Sequence, residues 1–99
     1  MARTPEGKVK AAVKALLDKC GIWYCMPIGT GFGSSGVPDF VCCWNGKFIG
    51  IETKAPGRLK NTTELQRIQQ ARIQAAGGIC IVIDDVSTLE GVLNANTSA

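Results

Sequence analysis

"GVPDFVCCWNGKFIGIETKAP", residues 36–56, holds two apolar runs joined by Asn45-Gly46. Asn-Gly is the strongest short signal for a two-residue β-hairpin turn, because both residues accept the positive φ that such a turn needs. Read this way, Trp44 faces Lys47, and counting back along both strands sets Asp39 opposite Glu52. Directly opposed residues of an antiparallel pair hold their Cβ atoms roughly 4.5–5.5 Å apart on one sheet face. Lys54, two residues past Glu52, emerges on that same face because side chains alternate along a strand. A slip of one residue would send the two acids to opposite faces, so the turn decides whether these charges form one site.

Two like charges opposed in otherwise apolar strands destabilise a sheet unless something offsets them. A divalent cation held between the carboxylates would do so, and oxygen donors suit Mg2+ or Mn2+. The plainer reading is a carboxylate pair at a strand end, relieved by Lys54 in an ordinary ion pair.

The elements around the hairpin follow from patterning. Thr4-Pro5-Glu6 reads as N-cap, first-turn proline and first-turn acid. Val9, Ala12, Val13, Leu16, Leu17 and Cys20 then recur at helical spacing until Gly21. "IWYCMP", residues 22–27, is a strand closed by Pro27. "TTELQRIQQARIQAAGG", residues 62–78, is a second helix, with capping candidates at Asn61 to Thr63 and a glycine pair at its end. "ICIVI", residues 79–83, is a continuous apolar strand expected to be buried on both faces. "VSTLEGVLNA", residues 86–95, suits a short last helix. The expectation is one α/β domain over residues 1–99, of order α-β-β-β-α-β-α. Its fourth strand, reached by a helical crossover, should run parallel to the third in a mixed sheet with helices packed against it.

Gly31 to Gly36 spell G-x-G-x-x-G, but Val37-Pro38-Asp39 and a strand follow where a dinucleotide site needs a helix. No nucleotide cofactor is therefore expected, and the segment reads as a mobile glycine-rich loop beside the sheet.

Composition narrows the chemistry. The chain contains no histidine. That excludes Ser-His-Asp and Cys-His catalysis, histidine-ligated metals and nucleases with a histidine base. Five cysteines without a C-x-x-C speak against zinc or a disulfide framework, and buried reduced thiols are expected. All eleven Lys and Arg lie in residues 1–72, while residues 73–99 carry acids alone. A basic body suits a polyanion. No apolar run is long enough to span a membrane, and the opening residues lack the apolar stretch of a secretory signal. A soluble cytoplasmic protein is expected.

Asp, a hairpin and then Glu-x-Lys form the pattern of the PD-(D/E)xK nucleases, matched here by Pro38-Asp39 and Glu52-Thr53-Lys54. The framing is more specific: "SSGVPDF", then "IETKAP", then Gln66 eleven residues before Gly77 in "QRIQQARIQAAG". Together these segments resemble the VRR-NUC family, the virus-type replication-repair nucleases. Its small stand-alone members are similar to this chain over nearly its whole length, including an opening helix with an early glutamate. The resemblance implies a restriction-endonuclease-like core that hydrolyses DNA phosphodiesters with Mg2+ or Mn2+, in a bacterial or phage-infected cell. By position, Asp39, Glu52 and the Thr53 carbonyl would bind the metal, with Glu6 completing the site directly or through water. Lys54 would orient the attacking water or stabilise the developing phosphorane charge, and Gln66 would be the family's polar residue on the second helix.

Other readings stand beside these. Glu6 could equally be a first-turn acid offsetting the helix dipole. Gln66 could be the N3 member of a Thr63 capping box, and Gln69 is its rival for the site. Arg58, Lys60, Arg67, Lys8 and Lys10 are candidates to track phosphates without reading sequence. Family and size suggest structure-selective cleavage of branched or four-way-junction DNA by a homodimer. The apolar stripe Val86, Leu89, Val92 and Leu93 at the acidic end is the expected pairing face, unless it packs on the protein's own sheet. The alternative from another class is a non-catalytic DNA-binding module that keeps the fold.

Overall fold

Asn45 and Gly46 both take positive φ, 54° and 77°, and the hairpin closes in the expected register. Trp44 faces Lys47, and the pairing runs back to Phe40 opposite Ile51. The computed structural model describes residues 4–28 and 35–95, so most of the glycine-rich loop, with its expected mobility, lies outside the described residues. Where the loop ends the chain enters a strand, so no helix is present for a dinucleotide fingerprint to open.

The elements are α1 (Pro5–Lys19), β1 (Trp23–Cys25), β2 (Phe40–Trp44), β3 (Lys47–Thr53), a 3-10 turn (Leu59–Asn61), α2 (Glu64–Ala75), β4 (Ile79–Ile83) and α3 (Val86–Ala95). Thr4 caps α1 by accepting from Gly7 N–H at 3.0 Å, and Gly21 at φ 66° stands just past its end. Thr63 caps α2, which stops before Gly77 at φ 95°. The sheet order is β1-β2-β3-β4, antiparallel except for the parallel pair β3–β4 that the α2 crossover joins. A parallel neighbour needs such a crossover, whereas the antiparallel pair β2–β3 needs only a tight turn.

Strand alternation divides the sheet into two faces. Phe40 and Cys42 of β2, Ile49 and Ile51 of β3 and Ile83 of β4 face α1 and α3, whose Val9, Val13, Leu17, Leu89 and Leu93 complete the core. Phe48, Gly50 and Glu52 face the other way, where Ile73 of α2 packs over Gly78 and Phe48. No residue of α2 is fully buried. This helix clips one side of the sheet without adding a second core.

Three expectations change. β4 is an edge strand, so only Ile83 among its five residues is buried, whereas a strand buried on both faces needs neighbours on each side. Cys20, Cys25 and Cys43 are exposed: Cys20 caps α1, and Cys25 and Cys43 lie on the sheet face that α1 and α3 leave open. Cys42 is buried and Cys80 half-buried, and burial pushes both thiols up to about 11. Finally, Leu89 and Leu93 of the α3 stripe are consumed by the protein's own core. Among the described residues no helix is long and apolar enough to cross a membrane.

Candidate active site

The site forms where β2 begins. Proline has no N–H to give a ladder, and Pro38 turns away so that its ring lies over Gly50. A Cβ on Gly50 would come within 2.8 Å of the Pro38 Cγ, so only glycine permits this crossing. β2 therefore begins at Phe40, and Asp39 sits at the bend just before it. The Thr53 N–H, which a longer β2 would have paired, is taken by the Asp39 side chain. Asp39 Oδ2 accepts from Thr53 N at 3.0 Å and from Thr53 Oγ1 at 2.7 Å. In a strand the N–H and C=O of one residue point to the same side, so the Thr53 carbonyl also opens toward Asp39. The Lys54 N–H points the other way, to Ile83 O at 2.8 Å.

Glu52 lies beside Asp39 with 4% of its surface exposed, and its neighbour on the other strand is Val82. Burial, then the charge of Asp39, then a hydrogen bond to Asp39 push its carboxyl from an ordinary 4.5 up to about 8. Asp39 moves the opposite way. Burial alone would raise it, but the two Thr53 hydrogen bonds and the nearby Lys10 hold it below the usual carboxylate range. The two carboxyls are thus pushed apart: Asp39 favours its ionised form, while burial and the neighbouring charge favour the protonated form of Glu52.

Lys54, 8% exposed, sends its Nζ to Gln66 Oε1 at 2.9 Å, with Asn61 O farther off at 3.5 Å. The same Gln66 oxygen accepts from Thr63 N at 2.9 Å, and Gln66 N donates to Thr63 Oγ1 at 3.1 Å, which completes a capping box. The two readings of Gln66 are therefore one arrangement: helix capping pins the amide that holds the lysine. Of the two glutamines, Gln66 is the one that contacts Lys54. Gly36, at φ 80°, locks the loop before Asp39 onto the same helix start, since a Cβ there would lie 2.5 Å from the Leu65 carbonyl carbon.

Glu6 and Lys10 reach the site from α1. Lys10 Nζ lies 3.8 Å from Glu6 Oε2 and 3.7 Å from Asp39 Oδ1. Among the described residues no three His, Cys, Asp or Glu side chains gather closely enough to hold a metal ion. Glu6 is thus joined to Asp39 through an ammonium rather than sharing a ligand cluster. The oxygens that do converge, from Asp39, Glu52 and the Thr53 backbone, are a donor set that suits a hard divalent cation. Lys8, Arg58, Lys60 and Arg67 are exposed, with Arg58 and Lys60 at the 3-10 turn between β3 and α2. Lys10, expected among these phosphate-tracking cations, instead lies against the carboxylates. Two features escaped the sequence reading: the Thr53 hydroxyl that orients Asp39, and this placement of Lys10. The i, i+4 spacing of Glu6 and Lys10 was the available signal for the second.

No family model matches the chain, and neither does any curated protein. A solved structure described as a "VRR_NUC domain" superposes with a TM-score of 0.79 at 19% identity, over 95% of this chain and 99% of that one. The chain has the VRR_NUC fold. This fold is the small α/β arrangement described above, a mixed four-stranded sheet in the order α-β-β-β-α-β-α. Within the VRR_NUC fold of this chain, Asp39, Glu52 and Lys54 stand at one end of the central β2–β3 hairpin, under the first turn of α2.

Proposed function

We propose that this chain is a VRR-NUC nuclease, a divalent-metal-dependent endonuclease that hydrolyses DNA phosphodiesters. The observation that carries the reading is the placing of Asp39 and Glu52 side by side, next to a buried lysine that a capped glutamine holds in place. A binding module has no use for a buried carboxylate set against a second, half-buried one, because the pair costs stability and repels DNA. A bound Mg2+ or Mn2+ would polarise the scissile phosphate and lower the pKa of a bound water. Asp39, Glu52 and the Thr53 carbonyl would hold it, with Glu6 acting from outside that shell. Thr53 N–H and Oγ1 keep the Asp39 carboxylate aimed at the site. Lys54, fixed by Gln66, offers a preorganised ammonium to the charge that grows on the phosphoryl oxygens.

Incubation with labelled four-way-junction, flapped and linear DNA, with and without Mg2+ or Mn2+, tests this. Cleavage that needs the metal supports the reading, and preference for branched DNA supports structure selectivity. Binding without cleavage under every condition would leave the non-catalytic module as the correct reading.

Arg58 and Lys60, exposed at the rim next to Lys54, fit the role of phosphate contacts. Neutralising both together should weaken binding of all sequences by about the same factor, roughly tenfold or more at moderate salt, and flatten the salt dependence. A changed sequence preference at an unchanged salt slope would mean that they read bases.

Junction resolution needs two symmetric cuts, and a two-fold homodimer would supply them. With Leu89 and Leu93 of the α3 stripe committed to the core, the exposed apolar side chains left for pairing include Trp23, Phe48, Leu65 and Ile68. Light scattering at micromolar concentration should give the dimer mass, and replacing Trp23 and Phe48 by polar residues should give the monomer. A monomer mass for the parent protein removes the dimer and favours single-site flap or strand cleavage.

A further inference from the structure

Lys10 occupies a place that ordinary surface lysines do not. Its ammonium bridges two carboxylates from different elements, Glu6 in the first turn of α1 and Asp39 at the end of the hairpin, at 3.8 and 3.7 Å. Its side chain is 33% exposed, on a flexible four-carbon stem, and can leave without unpacking the core. A hard cation bound at Asp39 would need the oxygen that Lys10 now faces, and two cations so close to one carboxylate repel each other.

We propose that Lys10 is the built-in counter-cation of the acidic cluster: it competes with the divalent metal for Asp39 in the free protein, and the metal's arrival releases it to a DNA phosphate. This rests on the metal-dependent reading above. Without a cation, the charges of Asp39 and Glu6 would stand uncompensated beside the site, and Lys10 offsets this until the metal and the DNA arrive together. Once released, its ammonium stands beside the site where the polyanionic backbone must pass. The metal and the substrate would then favour each other's binding, since each relieves what the other leaves unpaired.

The test is a direct Mn2+ titration without DNA, followed by calorimetry, of the parent protein and of Lys10→Gln, Lys10→Arg and Lys14→Gln. Lys14 lies one turn farther along α1 and pairs with Asp18 at 3.5 Å, so it controls for loss of charge alone. Lys10→Gln should bind Mn2+ about three- to tenfold more tightly, the range for removing one or two partly exposed ion pairs. Lys10→Arg and Lys14→Gln should bind like the parent. An unchanged or weaker Mn2+ affinity in Lys10→Gln, beside normal binding by the parent, overturns the proposal and leaves the metal reading intact. Absence of Mn2+ binding from every protein overturns both. In a second measurement Ca2+, which takes the same oxygen donors, is added to the protein–DNA mixture. It should strengthen DNA binding by the parent more than by Lys10→Gln, and equal strengthening overturns the release to phosphate.

Discussion

Replacing Lys54 by methionine is expected to slow DNA cleavage by about 10^2–10^4-fold while the protein stays folded and still binds Mn2+. The substitution keeps the length and most of the volume of a side chain that is 8% exposed, so the sheet end need not collapse. What it removes is an ammonium whose position is doubly determined. The Lys54 backbone N–H is fixed by Ile83 O, and the Nζ is fixed by Gln66 Oε1, itself held by the Thr63 cap. A charge positioned in advance stabilises a transition state without reorganising when the reaction occurs, which is why its loss falls on the rate rather than on the fold. Gln66 keeps its bond from Thr63 N when the lysine is gone, so the amide is not orphaned and α2 remains capped. Single-turnover rates on labelled branched DNA would measure the loss, with circular dichroism and Mn2+ titration as controls. If Lys54→Met cut at the parental rate, the lysine would have no part in the reaction.

How much of this was legible beforehand depends on what each residue's neighbours are. The Asn45-Gly46 turn is a local signal, because positive φ at two successive positions is demanded by the turn itself. It was enough to place Asp39 opposite Glu52, and the ladder from Trp44 to Phe40 keeps that register. The apolar run of β4 is different. Five apolar residues look the same whether a strand is central or at an edge, and only the sheet order shows that β4 has one neighbour. The α3 stripe was ambiguous for the same reason: a stripe at helical spacing needs a cover, and the sequence does not say whose. Lys10 was read as one of several first-helix lysines because its partner Asp39 is 29 positions away, beyond any local pattern. The Thr53 hydroxyl was hidden by alternation, which sends it to the face opposite Glu52. Its contact with Asp39 arises because Pro38 ends the strand and leaves the aspartate free to reach across.

The upward shift of the Glu52 carboxyl leads to the second large effect. Glu52→Gln should make the metal-free protein more stable at pH 9, by on the order of 2 kcal/mol, and leave it unchanged at pH 5. The direction follows from a carboxyl raised from 4.5 to about 8 by burial and by Asp39. Between those pH values the folded protein holds a proton that the unfolded chain has released, so stability falls as pH rises through this window and levels off above it. Asp39, shifted downward, contributes in the reverse sense, and its stabilisation is lost only as pH falls into the acid range. Glutamine retains the shape of Glu52 and can donate to Asp39 Oδ as the protonated acid does, but it never ionises. The like-charge cost at high pH therefore disappears, and with it an anionic ligand. Thermal melts in EDTA at pH 5, 7 and 9 would show the parent losing stability across the series while Glu52→Gln stays level. At pH 9 the difference in Tm should be roughly 10 °C for a domain of this size. Added Mn2+ should restore the parent and not the variant, because the metal replaces the missing proton between the carboxylates. Parallel melting curves for the two proteins at all three pH values would mean that the Glu52 carboxyl is not raised in the folded protein, and the cation between it and Asp39 would lose its physical motive.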